Sequence, residues 1–187
     1  LHKLLQAPFS LHASLLEKID REIKHANDDR PARILAKLNA LTEPSVIEAL
    51  YRASCAGVEI DLIVRGLCCL RPGVRGVSER IRVRSIVGRF LEHTRAFCFE
   101  NGGEREVFCS SADWMDRNLF RRVEVAFPIE AAALKERVLK DLELYLEDNR
   151  QAWILDAEGR YWPANAAGEE RSAQGRLLRE FTDRPPL

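Results

Sequence analysis

The chemistry of this chain concentrates between Arg80 and Val125. That stretch holds His93 together with Arg80, Arg82, Arg84, Arg89, Arg95, Arg117, Arg121 and Arg122. A guanidinium presents a planar fork that can hold two phosphate oxygens at once, and it stays charged at any working pH. One histidine among so many fixed cations therefore suits phosphate or a longer polyanion. Two roles are open to such a histidine in phosphoryl transfer. It can attack phosphorus as neutral imidazole, or protonate a leaving oxygen as a general acid. Neighbouring cations favour the neutral ring, and a bound phosphate restores the proton. His93 and Arg95 are two residues apart, which on an extended chain turns both side chains to one side.

Other candidates lie at predicted strand ends. Arg65 closes the apolar run VEIDLIV at an Arg-Gly step, and ligands gather at the carboxyl ends of strands in open α/β sheets. Lys37 and Asn39 stand just after the first predicted strand and could bind phosphate oxygens. Arg82 and Arg84 alternate on one strand face and could line a channel for a polyanion. Ser111, Arg117, Asn118 and Arg122 could hold a further phosphate, with Ser111 donating its hydroxyl. No phosphate-cradling G-x-x-x-x-G-K-[ST] loop occurs, and no His, Cys, Asp or Glu cluster has metal-ligand spacing, so no metal site is expected. Trp114, Trp153 and Trp162 are expected in the core or at a domain contact rather than as a base-stacking platform. Arginines would also neutralise phosphodiesters, yet 29 Lys+Arg against 29 Asp+Glu leave a net charge of zero. Nucleic acid is not an expected partner.

Elements must position these residues. Leu11 to Ala26 has amphipathic spacing, with Leu15, Leu16, Ile19 and Ile23 on one face and Ser10 available as N-cap. ARILA (32–36) predicts a buried strand, Pro44 to Ala56 a second helix stopped by Gly57, and Val58 to Val64 another buried strand. That is a βαβ unit. A strand over Arg82 to Val87 follows. Arg95 to Glu100 and Glu106 to Ser110 predict a hairpin whose Asn101-Gly102-Gly103 supplies the positive φ of a tight turn. Arg122 to Pro128 predicts a strand, and Ile129 to Leu146 a long helix with Leu134, Val138, Leu142 and Tyr145 in one stripe. A small hairpin (152–155, 160–162) and a helix over Arg171 to Phe181 complete the set, before a proline-ended tail. The fold class is α/β: a mixed central sheet flanked by helices on both faces, with a small C-terminal hairpin and helix.

A length of 187 residues with 46% hydrophobic content fits one globular domain, residues 1–187. The first residue, Leu1, falls within an ordered-looking segment, so the chain is expected to be a piece of a longer protein. Cys55, Cys68, Cys69, Cys98 and Cys109 are odd in number and lack ligand spacing, so they are expected as reduced core thiols in a reducing compartment. No run has the length of a membrane helix.

His93-Thr94-Arg95, Glu100 and Ser110-Ser111-Ala112-Asp113 resemble a degenerate H-x-K-x4-D…G-S-x-N signature of the phospholipase D superfamily. More closely, RVRSIVGRFLEHTR, ENGGE, SSADWMDRNL and RRVEV resemble the last catalytic domain of the histidine-dependent bacterial polyphosphate kinases. ARILAKLNAL, GVEIDLIVRGLCCLRPGVRG, DNRQAWILDAEGRYWP and a Gln-containing tail extend the resemblance over nearly the whole chain. It implies a phospholipase D-like sandwich and reversible transfer of the terminal phosphate of ATP to inorganic polyphosphate. The transfer would run through a phosphohistidine on an upstream domain. His93 matches the family's second histidine, a contact to the nucleotide phosphates and an acid–base partner, and Arg65 matches an arginine on the triphosphate. Arg82, Arg84, Arg95, Arg117 and Arg122 would then hold phosphoryl oxygens or polymer.

The resemblance further implies ATP/ADP as substrate, with Mg2+ arriving with the nucleotide on ligands outside this chain. It also implies upstream domains as partners, a homo-oligomeric full-length enzyme, and a cytoplasmic setting with membrane association of the full enzyme left open. The isolated chain is expected to be inactive. Arg95 replaces the superfamily lysine, Glu100 its aspartate and Ser110-Ser111 its Gly-Ser, at longer spacing. These changes speak against a free-standing phosphodiesterase. Such a diesterase or nuclease with His93 as nucleophile, or a non-catalytic polyanion-binding module, remain the alternatives.

Overall fold

A computed structural model of the chain describes residues 3–164 and 168–182; His2 and the proline-ended tail lie outside them. Three buried runs set the centre of the fold: β2 (Arg33–Leu38), β3 (Glu59–Val64) and β4 (Ile81–Ile86), paired in parallel. β2 and β3, buried almost throughout, need both faces covered, and their alternation shows what covers each. Ile34, Ala36, Leu38, Ile60, Leu62 and Val64 pack with α1 (Leu11–Asn27) and α2 (Pro44–Cys55). Leu35 and Ile63 face the other way, toward α4 (Ala132–Glu147) and α5 (Ala173–Thr182).

Antiparallel strands extend both flanks. β5 (Ala96–Phe99), β6 (Glu106–Ser110), β7 (Glu124–Pro128) and β1 (Leu5–Ala7) add to the β2 side. β8 (Ala152–Leu155) and β9 (Tyr161–Pro163) add to β4. The sheet has nine strands in the order β1-β7-β6-β5-β2-β3-β4-β8-β9. It is the mixed sheet between helical layers that the sequence predicts. Under the β5–β6 hairpin, Phe97 stacks on Phe108 at 5.3 Å and meets Trp114 edge-on at 5.6 Å. All three are buried, and burying each such ring stabilises by roughly 1.5–3 kcal/mol.

Several local expectations need correction. β1 and α3 (Asp116–Phe120) were not predicted; at three and five residues they are too short for periodicity to show. The hairpin turn over Asn101–Gly103 has the expected positive φ, 50°, 65° and 105° at its three residues, within a single 3-10 turn. β2 runs on to Leu38, so Lys37 lies inside the strand rather than after it. Ser10 stands at the start of α1, but its hydroxyl accepts from Gln6 N–H and does not cap the helix. Leu134 is 59% exposed; the buried stripe of α4 runs through Leu139, Leu142 and Tyr145. Trp114 is core, while Trp153 and Trp162 are exposed, which leaves a domain contact as the expectation for those two. All five cysteines are free, but Cys55 and Cys69 are exposed rather than core.

Candidate phosphate-binding site

The carboxyl ends of β2 and β3, the start of β5 and the segments after β4 and β6 converge at one end of the sheet. Register fixes this: Leu38 pairs with Val64 and Lys37 with Ala96, while Ala96 pairs with Cys109. Beyond the strands the backbones stay joined. Arg65 N–H donates to Leu38 O at 3.1 Å and Gly66 N–H to Asn39 O at 2.9 Å. Trp114 N–H donates to Ala40 O, and Thr42 and Glu43 N–H return to Trp114 O. Lys37, Asn39 and Arg95 thus lie side by side, with His93 next to Arg95 and Arg65 joined to the end of β2.

Their roles divide by burial. Lys37 is 1% exposed. Its ammonium pairs with Glu92 at 2.8 Å, donates to Thr94 O and lies 4.8 Å from the centre of the Tyr145 ring. Burial pulls the Lys37 ammonium below its ordinary 10.5; Glu92 opposes this, and the charges of Arg65 and Arg95 add to it. Asn39 is also buried. With its amide oxygen turned toward Arg95, it accepts from Arg95 Nε and Nη2 at 2.9 and 3.0 Å and donates to Glu92 O at 2.7 Å. Neither side chain is free for phosphate, which corrects the expectation for both. They support the site from behind.

Arg95 is held by a carboxylate that sequence reasoning did not select. Asp113 takes Arg95 Nη2 at 2.9 Å through one oxygen, and Asn39 and Ala40 N–H at 2.6 and 3.1 Å through the other. Glu100, the expected match to the superfamily aspartate, sits at the opposite end of β5 and pairs with Arg105. His93 lies in the segment before β5 with its ring exposed, and Arg95 Nη1 lies 3.5 Å from its Nδ1. Arg65 is half-buried, and among the described residues it forms no ion pair. With Glu92 compensating Lys37 and Asp113 compensating Arg95, Arg65 is left without an ion pair at this end, as are Arg89 after β4 and Arg117 and Arg122 after β6 among the described residues.

The remaining candidates separate. Arg82 pairs with Asp61 at 2.7 Å and Glu59 at 2.9 Å near the amino ends of β3 and β4, the far end of the sheet from Arg65. Arg84 donates to the closing carbonyls of α4, those of Tyr145 and Leu146, and so caps that helix. Neither stands in an open channel, because each has a structural partner that a polymer would have to displace. Ser111 hydroxyl is engaged by Glu124 and accepts Val125 N–H, while Asn118 donates to Glu124 at 2.7 Å. Arg117 and Arg122 are exposed, without an ion pair among the described residues. Among the described residues no three His, Cys, Asp or Glu side chains group to hold a metal. The nearest carboxylates, Glu92 and Asp113, are already committed. The site therefore offers no ligand set for Mg2+.

A mixed sheet between two helical layers is the arrangement of the phospholipase D-like fold. The phospholipase D family member Nuc from Salmonella typhimurium superposes over 86% of this chain and 96% of its own, with a TM-score of 0.57 at 16% identity, a likeness of fold alone. Residues 4–174 match the family described as polyphosphate kinase C-terminal domain 2, and the chain belongs to that family. Polyphosphate kinases of Pseudomonas syringae pv. tomato and Neisseria meningitidis serogroup C are 55% and 58% identical over 97% and 92% of the chain. The crystal structure of polyphosphate kinase from Porphyromonas gingivalis covers 96% of the chain with a TM-score of 0.91 at 41% identity. The chain spans about a quarter of the length of these relatives: 25% of both curated proteins and 28% of the crystallised one. No helix among the described residues is long and apolar enough to cross a membrane.

Proposed function

We propose that this chain is the phosphate-gripping half of an ATP:polyphosphate phosphotransferase. Arg65 and His93 hold the nucleotide phosphates, and Arg117 and Arg122 meet polymer. The observation that carries this is the charge arrangement at the carboxyl end of the sheet. Lys37 and Arg95 have buried carboxylate partners, while Arg65 and His93 are left facing solvent. In the complete protein a histidine of an upstream domain would attack the γ-phosphorus of ATP. The P–O bond to ADP would break and a P–N bond form. That phosphoryl would then pass to the terminal oxygen of polyphosphate, regenerating the histidine. The contribution of this chain is positioning and charge neutralisation. His93 can also share a proton with the bridging oxygen as it leaves. Mg2+ bound to the nucleotide would offset phosphate charge on ligands outside this chain. ATP, ADP, inorganic polyphosphate and a homo-oligomeric cytoplasmic enzyme complete the proposal.

The test is a chimera. The matching quarter of Pseudomonas aeruginosa polyphosphate kinase, 56% identical to this chain, is replaced by these residues, and transfer from ATP to polyphosphate is measured. The chimera should be active, and His93→Ala or Arg65→Ala should lower kcat/KM by about tenfold or more, the scale of one charge-assisted contact. The chain alone should not become labelled by γ-labelled ATP. Labelling on a histidine of the isolated chain, or a chimera indifferent to both substitutions, would overturn the proposal. Hydrolysis of bis-nitrophenyl phosphate that vanishes in His93→Ala would move it to the diesterases.

A further inference from the structure

The segment that carries His93 is held by side chains that cannot themselves touch a substrate. Glu92 is its hub. The carboxylate is 7% exposed, accepts from Lys37 Nζ at 2.8 Å and Gln174 Nε2 at 2.7 Å, and is hydrogen-bonded by Tyr145. Its main-chain oxygen accepts from Asn39 at 2.7 Å. Gln174, on α5, also clasps Phe90 from both sides, taking its N–H at 3.0 Å and donating to its C=O at 2.8 Å. Even Gly88 is pressed against this amide: a Cβ there would lie 2.4 Å from Gln174 Oε1. Residues 88–92 form no strand or helix, so these contacts replace the ladder that would otherwise order them.

We infer that Glu92 is a positioning residue: with Lys37 and Gln174 it fixes the 88–94 segment and thereby the place of His93 at the phosphate site. This rests on the reading of His93 as a phosphate contact. A buried ion pair is a poor source of stability, because apolar residues of like volume do as well or better. Its usefulness is in allowing one arrangement only. Here the pair joins three separate elements, β2 through Lys37, α4 through Tyr145 and α5 through Gln174, to the residue immediately before His93. Burial, reinforced by Glu92, pushes the Tyr145 phenol up, so it remains a donor at working pH. The C-terminal helix, which holds none of the arginines of the site, thereby gains a route to the histidine.

The experiment uses this chain uniformly labelled with 15N. Ring signals of His93 and amide exchange over 88–94 are followed by NMR in the wild type, Glu92→Gln and Gln174→Ala. His12 and His25 on α1 serve as internal controls of the fold. The inference expects exchange over 88–94 to rise by about tenfold or more in both variants, and the His93 ring signal to move toward that of a free histidine. The α1 histidines should stay in place. If Glu92→Gln fails to fold, because it leaves Lys37 uncompensated, Gln174→Ala decides, since it removes no charge. Unchanged exchange and an unmoved His93 signal in Gln174→Ala would overturn the inference. Titration of the wild type with tripolyphosphate is the separate arm. If His93 ignores it, the phosphate role fails while the exchange data still decide whether Glu92 and Gln174 hold the segment.

Discussion

Asp113 is the residue whose loss should be felt most at the site, and its contacts allow the size of the effect to be worked out. Asp113→Ala leaves the buried N–H groups of Asn39 and Ala40 without an acceptor and frees Arg95 from its carboxylate. An orphaned buried donor costs about 1–3 kcal/mol, and breaking a buried ion pair from one side costs about 3–5 kcal/mol. These overlap, and the 14% exposure of the Arg95 side chain lets water reach part of the gap, so about 4 kcal/mol is expected. Asp113→Asn keeps an oxygen for the two amides but loses the charge and the acceptor for Arg95, whose guanidinium still has Asn39, so about 1–2 kcal/mol is expected. Urea unfolding followed by the fluorescence of buried Trp114, the next residue, reads both. With a slope of about 2 kcal/mol/M, the alanine variant should lower the midpoint by about 2 M and the asparagine variant by less than half of that. An alanine variant within about 0.3 M of the wild type would refute the claim that Asp113 bridges β2 to Arg95.

Three further outcomes follow from other contacts. Asp61 is buried, which alone would raise its carboxyl pKa, but hydrogen bonds from Arg82 and Arg33 and their charge outweigh this and hold it below the ordinary 3.8. A depressed folded value means the native state binds fewer protons, so this stabilisation is complete above that ordinary value and lost as pH falls through the folded one. The urea midpoint should therefore drop steeply with acid in the wild type and less so in Asp61→Asn; parallel curves would contradict it. Among thiols, Cys55 and Cys69 are exposed, whereas burial raises Cys68 to about 11 and Cys98 to about 12. An aromatic disulfide reagent should label the exposed pair quickly and Cys98 only after unfolding; rapid native labelling of Cys98 would count against the packing. Arg82→Ala should leave tripolyphosphate affinity within about twofold of the wild type, because Arg82 is tied to Asp61 and Glu59 at the far end of the sheet, whereas Arg65→Ala should lower it by about tenfold or more. Equal losses in a binding titration would restore Arg82 to the site.

What the sequence showed and what it hid have a common cause. Apolar runs such as VEIDLIV and ARILA betray their strands because burial on both faces demands them, and the glycine or proline at the ends of α2 marks its limits. The carboxyl-end rule then singles out Arg65, the residue just past β3, without any distance being known. Local spacing says nothing, however, about which carboxylate meets which cation across the sheet. Lys37 and Asn39 read as phosphate ligands by position, yet strand alternation turns Lys37 onto the α4–α5 face. There Glu92, 55 residues on, neutralises it. Arg82 and Arg84 alternate as expected, but each meets a partner supplied by another element, Asp61 from β3 and the end of α4.

The same alternation offered the one signal that could have found the hidden partners. A lysine in a strand otherwise buried on both faces, or an arginine at the mouth of one, cannot remain unpaired, so a buried acceptor had to exist for Lys37 and for Arg95. Glu92 and Asp113, each within a few residues of the chemistry-bearing motifs, were the available carboxylates. Following that requirement turns a field of arginines into a graded one. Cations that are paired build the frame, and those left unpaired at the open end, Arg65 and His93 foremost, are the ones with charge to offer a phosphate.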